Sequence, residues 1–170
     1  MKKVFLFLSV FILPCCLQAG IHLHAREINA LNTTGLLISS PTDYFRSVQN
    51  GDWGSLATWE SSADNNNWFP ATLIPTSAAN IITITAHTVT VTTNQDMDEV
   101  IILPGSMLEH NAGTLTVNDG TGDDIYVNGG AFFHINVNPA PVFSGSATMR
   151  INAYGTLRLS ASGLTGAGTG

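Results

Sequence analysis

IITITAHTVTVT, residues Ile81–Thr92, is two runs of alternation split by Ala86-His87. In each run an apolar side chain falls at every second position. That is the period of a strand with one buried face. Ile, Val and Thr are β-branched and suit a pleated, half-buried surface. The same pattern continues in EVIIL (Glu99–Leu103), TLTV (Thr114–Val117), DIYV (Asp124–Val127), FFHINV (Phe132–Val137), TMRIN (Thr148–Asn152) and TLRLS (Thr156–Ser160). The inward sets are Ile82 and Ile84, Val89 and Val91, Leu115 and Val117, Ile125 and Val127, Phe133 and Ile135, Met149 and Ile151, Leu157 and Leu159. Thr88, Thr90, Thr116, His134, Arg150 and Arg158 face outward. Nothing after Ile81 has helical periodicity, so this half of the chain is all-β.

Glycine and asparagine punctuate the strands. Gly105, Gly130 and Gly155 stand 25 residues apart, and large inward residues follow them at Leu108, Phe133 and Leu157. Glycine tolerates the positive φ of a sharp corner. A fixed period of this size points to stacked repeats. The expected fold is a short right-handed parallel β-helix, a solenoid of roughly three coils over residues 81–160. An antiparallel β-sandwich is the alternative, because strands at short, regular spacing serve it as well.

Trp53, Trp59 and Trp68 are the only tryptophans of the chain and lie just before the first repeat. A stack of strands leaves an open end with unpaired backbone and exposed core. Each indole buries roughly 200 Å², so an aromatic cap over residues 44–80 is the structural reading. The functional reading makes the same three rings a platform for sugars. Residues 60–80 read as loop, since Asn65-Asn66-Asn67, Pro70 and Pro75 interrupt any ladder.

Residues 1–19 read as an export signal: Lys2 and Lys3, then an apolar run from Val4 to Leu17 broken only by Ser9. That run is too short to span a bilayer. Cleavage is expected after Ala19, with residues 20–43 as a lead-in segment. Lipid attachment at Cys15 or Cys16 is the alternative to release. Otherwise both cysteines leave with the signal, and the mature chain has neither disulfide nor thiolate chemistry. Without Lys2 and Lys3, four arginines face twelve acidic residues, a net charge of −8. Such a surface repels phosphate backbones and anionic membranes, which excludes nucleic-acid binding.

The stretch YFRSVQNGDWGSLATWESSADNNNWFPATLIPTSAANIITITAHTVTVTTN (Tyr44–Asn94) resembles the N-terminal module of large secreted and surface proteins of Bacteroidetes. The matching positions are Arg46, Ser47, Gly51, Trp53, Thr58, Trp59, Glu60, Trp68, Pro75, Thr76, Ile82, Ile84, His87, Val89 and Val91. It is also distantly similar to the eight-glycine extracellular domain. The resemblance spans about residues 44–160 and implies a β-repeat architecture rather than an activity. Members are generally much longer, and many end in a sorting domain for type IX secretion. Residues 163–170, GLTGAGTG, are expected to fall inside a repeat of a truncated chain, with self-association through the uncapped last coil.

Asp119, Asp123 and Asp124 sit in DGTGDD, similar to one repeat of a calcium-binding β-roll. Calcium wants six or more oxygens, and one copy supplies too few, so a plain turn is the competing reading. No other cofactor is implied. Asp96, Asp98 and Glu99 read as a solvated turn, with acid–base work on a glycan as the alternative. His22 and His24 have a metal-like spacing but no third partner. His87 is expected to bond backbone at a corner. No Ser-His-Asp arrangement is visible. These features indicate a non-catalytic secreted or cell-surface module for adhesion or structure, whose partners are glycans or surface proteins. The alternatives are a carbohydrate-binding module using the tryptophans and the remnant of a polysaccharide-degrading enzyme.

Overall fold

The computed structural model describes residues 37–160. The expected signal, Cys15, Cys16, His22, His24, most of the lead-in and residues 163–170 lie outside the described residues. Within them, no helix is long and apolar enough to cross a membrane.

The described chain is all-β apart from a single 3-10 turn at Leu56–Thr58. Before the alternating half come β1 (Tyr44–Ser47), β2 (Gly51–Asp52), β3 (Trp59–Ser62) and β4 (Phe69–Pro70). Then follow β5 (Ile81–Ile84), β6 (Thr88–Val91), β7 (Gln95–Met97), β8 (Val100–Ile102), β9 (Met107–His110) and β10 (Leu115–Val117). The last five are β11 (Ile125–Val127), β12 (Phe132–Ile135), β13 (Val142–Phe143), β14 (Met149–Ile151) and β15 (Thr156–Leu159).

From β5 onward, successive strands go to three different sheets, and each fourth strand returns beside the first. The sheets run β14-β11-β8-β5-β1-β3-β4, β13-β10-β7 and β15-β12-β9-β6-β2. From β5 onward every pairing is parallel. The antiparallel sandwich therefore has no counterpart here. Antiparallel pairing is confined to β1 with β3 and β3 with β4. Parallel strands need a long connection between partners, and from β5 onward each connection is itself two further strands.

The register stacks like on like. Ile82, Val100, Ile125 and Met149 occupy one row, spaced 18, 25 and 24 residues apart. Val89, Leu108, Phe133 and Leu157 occupy another. The inward sets from Ile82 through Ile135 are buried in a single core with Phe45, Trp53 and Trp59. Burying one such aliphatic side chain stabilises by about 1.5–3 kcal/mol. Met149 and Leu157 are half-buried, while Ile151 and Leu159 are exposed, contrary to expectation. Both lie in the last described circuit, where no described strand covers their outer side.

Two expectations need correction. Residues 60–80 are not all loop: β3 and β4 extend the large sheet beyond β1, and Pro70 faces Glu60 on the edge strand β4. An edge position spares proline the ladder hydrogen bond it cannot donate. The third corner glycine is also offset by one. Gly105 donates its N–H to Gly130, and Gly130 donates to Tyr154, not to Gly155. Tyr154 has φ 66°, beside +79° and +78° at Gly105 and Gly130. Ala86, φ 50°, holds the matching place before β6, because Thr88 pairs with Met107. The four corners before β6, β9, β12 and β15 all take a left-handed residue, and only two of the four are glycine.

Candidate functional site

Three groups of side chains carry the polar chemistry of the described residues. The first surrounds the indoles. Trp53 and Trp59 are fully buried and meet edge to face, with centroids 5.0 Å apart. Trp53 Nε1 donates to the Pro75 carbonyl at 3.0 Å and Trp59 Nε1 to the Trp53 carbonyl at 2.8 Å. Both polar handles are satisfied internally, as buried indoles require. Neither ring shows a face to solvent, so neither can stack on a sugar in this conformation. Trp68 differs: it is half-buried, and the Arg46 guanidinium lies 4.3 Å from its ring centroid. Arg46 also pairs with Glu60 at 2.7 Å.

The second group is the acidic corner that leads into β8, β11 and β14. Asp98 and Asp124 are both buried, and their carboxyl groups face each other within hydrogen-bonding reach. Asp98 is therefore not on a solvated turn. Burial, then the hydrogen bond with Asp124, raises its pKa to about 6. Burial alone would raise Asp124 too, but amide donation from Gly120 at 2.8 Å and from Thr148 holds it below the usual carboxylate range. Below about pH 6 Asp98 keeps a proton while Asp124 keeps the charge. Gly120 lies flush on Asp98; a Cβ there would collide with the carboxyl.

The calcium candidates are neighbours in sequence, but their carboxylates have different partners. Asp119 accepts from the Ser146 amide at 3.1 Å, and Asp123 pairs with Arg150 at 3.3 Å. Asp124 is committed to Gly120, Thr148 and Asp98. Among the described residues, no three His, Cys, Asp or Glu side chains are grouped to hold a metal ion. Asp96 is exposed and accepts from Ser77, and Glu99 takes a left-handed φ of 51°.

The third group was not foreseen. On the outward side of the β15-β12-β9-β6-β2 sheet, Thr90, Glu109, His134 and Arg158 form one row. His134 points outward as expected, yet it is 8% exposed, because its rung neighbours cover it. Its Nδ1 lies 3.0 Å from Glu109 Oε1 and its Nε2 lies 2.8 Å from Ser160 Oγ. A hydrogen-bonded Ser–His–Glu line thus spans three circuits. A single-sequence search finds such groups only as neighbours, and these are 25 and 26 residues apart. The glycine period was the usable signal: adding one period to Glu109 reaches His134.

Two other histidines differ in burial: His87 is half-buried and His110 is internal. His87 Nδ1 bonds the Ser47 hydroxyl at 3.0 Å rather than backbone. His110 is fully buried in the row of Val91 and Ile135, and burial lowers its pKa.

Comparison with protein-family models, with characterised proteins and with solved structures returns no match to this chain.

Proposed function

We propose that residues 44–160 form a short right-handed parallel β-helix, capped at its leading edge by Trp53 and Trp59, and that the chain is a structural and adhesive module of a secreted or cell-surface protein. The observation that carries this reading is the cyclic order of the strands. Three sheets are fed in turn, in parallel register, around one core. The hand follows from the rule that parallel crossovers are right-handed. The buried indole pair fits a plug under the first circuit, and β3 and β4 cover the sheet edge that it leaves. The resemblance of Tyr44–Asn94 to the Bacteroidetes surface module agrees with this reading and supplies the location.

Binding in such a module comes from the outward Thr, Asn and Ser rows. Each contact is weak, and affinity comes from copy number. The exposed Val142, Phe143, Ile151 and Leu159 at the last described circuit suit end-to-end association between copies. A neutral glycan is the partner class that suits a polar, anionic surface.

Two experiments test the proposal. Cysteines placed at Asp96 and Thr116, which are register partners, should oxidise to a disulfide without loss of stability, since adjacent parallel strands satisfy its geometry. The same should hold for Thr116 with Val142. Failure of both pairs refutes the coil. Beads carrying many copies should adhere to glycan-coated or bacterial surfaces at least about 10²-fold better than the monomer. No gain on multivalent display refutes adhesion while leaving the coil intact.

A further inference from the structure

The outward row holding Glu109, His134 and Ser160 has a chemistry that adhesion does not use. An ionised carboxylate only accepts hydrogen bonds. When Glu109 is ionised and the His134 ring neutral, the ring must carry its proton on Nδ1 to bond Glu109. Its Nε2 is then a lone-pair acceptor, and the group 2.8 Å from it is the Ser160 hydroxyl. In that tautomer the serine donates its proton to the histidine, and the histidine donates to the acid. This is the order needed to activate a hydroxyl: nucleophile to base, base to an orienting group, each within hydrogen-bond reach.

The scaffold holds these parts in place. Glu109 sits in β9 and His134 in β12, directly paired in register. Ser160 follows β15 and is fixed by its N–H to the Ile135 carbonyl, one residue beyond His134. The imidazole is buried between the rungs, whereas Ser160 is exposed. The base is thus immobilised while the nucleophile remains reachable. Arg158, two residues before Ser160 on the same outward face, supplies a cation beside the site. Asn136 is the counterpart of Ser160 one circuit earlier, because its N–H bonds the His110 carbonyl as that of Ser160 bonds Ile135. Asn136 Nδ2 donates to Asn111 Oδ1 at 3.3 Å, which leaves Arg158 as the cation available to a developing oxyanion.

The geometry points to Ser160 as an acyl-accepting nucleophile, with His134 as its general base and Glu109 as the positioning residue, acting on carboxylic esters with a short acyl group. An exposed hydroxyl on a sheet surface needs no acyl cavity to meet an acetyl-sized group carried on a larger molecule. In the first step Ser160 Oγ bonds to the ester carbonyl carbon and its proton passes to His134 Nε2. The tetrahedral adduct collapses with cleavage of the carbon–oxygen bond to the alcohol, which takes that proton and leaves. Water then attacks acyl-Ser160, again giving its proton to Nε2; the Oγ–acyl bond breaks and Oγ takes that proton back. The released products are the carboxylic acid and the regenerated serine. This inference goes beyond the structural and adhesive reading and does not rest on it.

The test uses the full chain, a fluorophosphonate probe and peptide mass spectrometry, with p-nitrophenyl acetate as a second substrate. Labelling should fall on Ser160 and rise with pH through a single ionisation. Ser160→Ala should abolish it. His134→Gln should slow it about 10²-fold or more, the usual scale of general-base assistance. Glu109→Gln should slow it and move the pH midpoint, which a merely structural acid would not do. If His134→Gln does not fold, Glu109→Gln and the labelled position in the natural chain decide the matter. No labelling of the folded natural chain, labelling spread over other serines, or an unchanged rate and pH midpoint in Glu109→Gln would each overturn the assignment.

Discussion

Replacing Asp98 by Asn removes the charge conflict at the acidic corner and keeps the shape. The oxygen of the substituted amide can still accept the Glu99 backbone N–H, which lies 2.8 Å from Asp98 Oδ1. The amide nitrogen can donate to Asp124 permanently, as the protonated acid does only at low pH. The magnitude follows from linkage. Asp98 has a folded pKa of about 6 against an ordinary 3.8. Below pH 3.8 both states are protonated and the group costs nothing. Between 3.8 and 6 the unfolded chain loses its proton first, so stability falls as pH rises, and the full cost is present above about 6. Roughly two pKa units at about 1.36 kcal/mol each set a ceiling of about 3 kcal/mol. The amides that hold Asp124 ionised work in the opposite direction, so a gain of about 1–3 kcal/mol is expected at about pH 8. Urea unfolding of the natural chain and the Asp98→Asn variant at about pH 8 and about pH 4 measures it. The variant should be more stable at the higher pH and nearly equal at the lower one. A gain that is the same at both pH values, or a loss at the higher, refutes the shared proton.

The same unfolding assay checks three further outcomes. Gly113→Ala, at φ +76° and with its Cβ driven into the Thr93 backbone, should cost about 2–4 kcal/mol, whereas Gly105→Ala, at φ +79° with open space, should cost about 1 kcal/mol. Ala86→Gly should stabilise by about 0.5–1 kcal/mol, since relief of the left-handed strain exceeds the added freedom of the unfolded chain. Trp53→Ala should cost about 3–5 kcal/mol, and Trp68→Ala, half-exposed beneath Arg46, about 1 kcal/mol or less.

Residue order alone determined which faces of the strands are buried. Ile82, Ile84, Val89, Val91, Leu115, Val117, Ile125, Val127, Phe133 and Ile135 are all in the core, because the period of two is a local property of each strand. It determined the corners nearly as well, since a positive φ favours glycine at Gly105 and Gly130. It could not reveal that Ala86 and Tyr154 hold the same corner, because there the neighbouring circuits impose the conformation on residues that resist it. Pairing across circuits belonged to the tertiary structure. Asp98 and Glu99 look like one solvated acidic turn in the chain, yet Asp98 is buried against Asp124, which arrives from the next circuit. Glu109, His134 and Ser160 are ordinary polar residues until stacking sets them side by side. Parallel register converts a separation of about 25 residues into a distance of one strand, and only the folded chain fixes which residues that conversion joins.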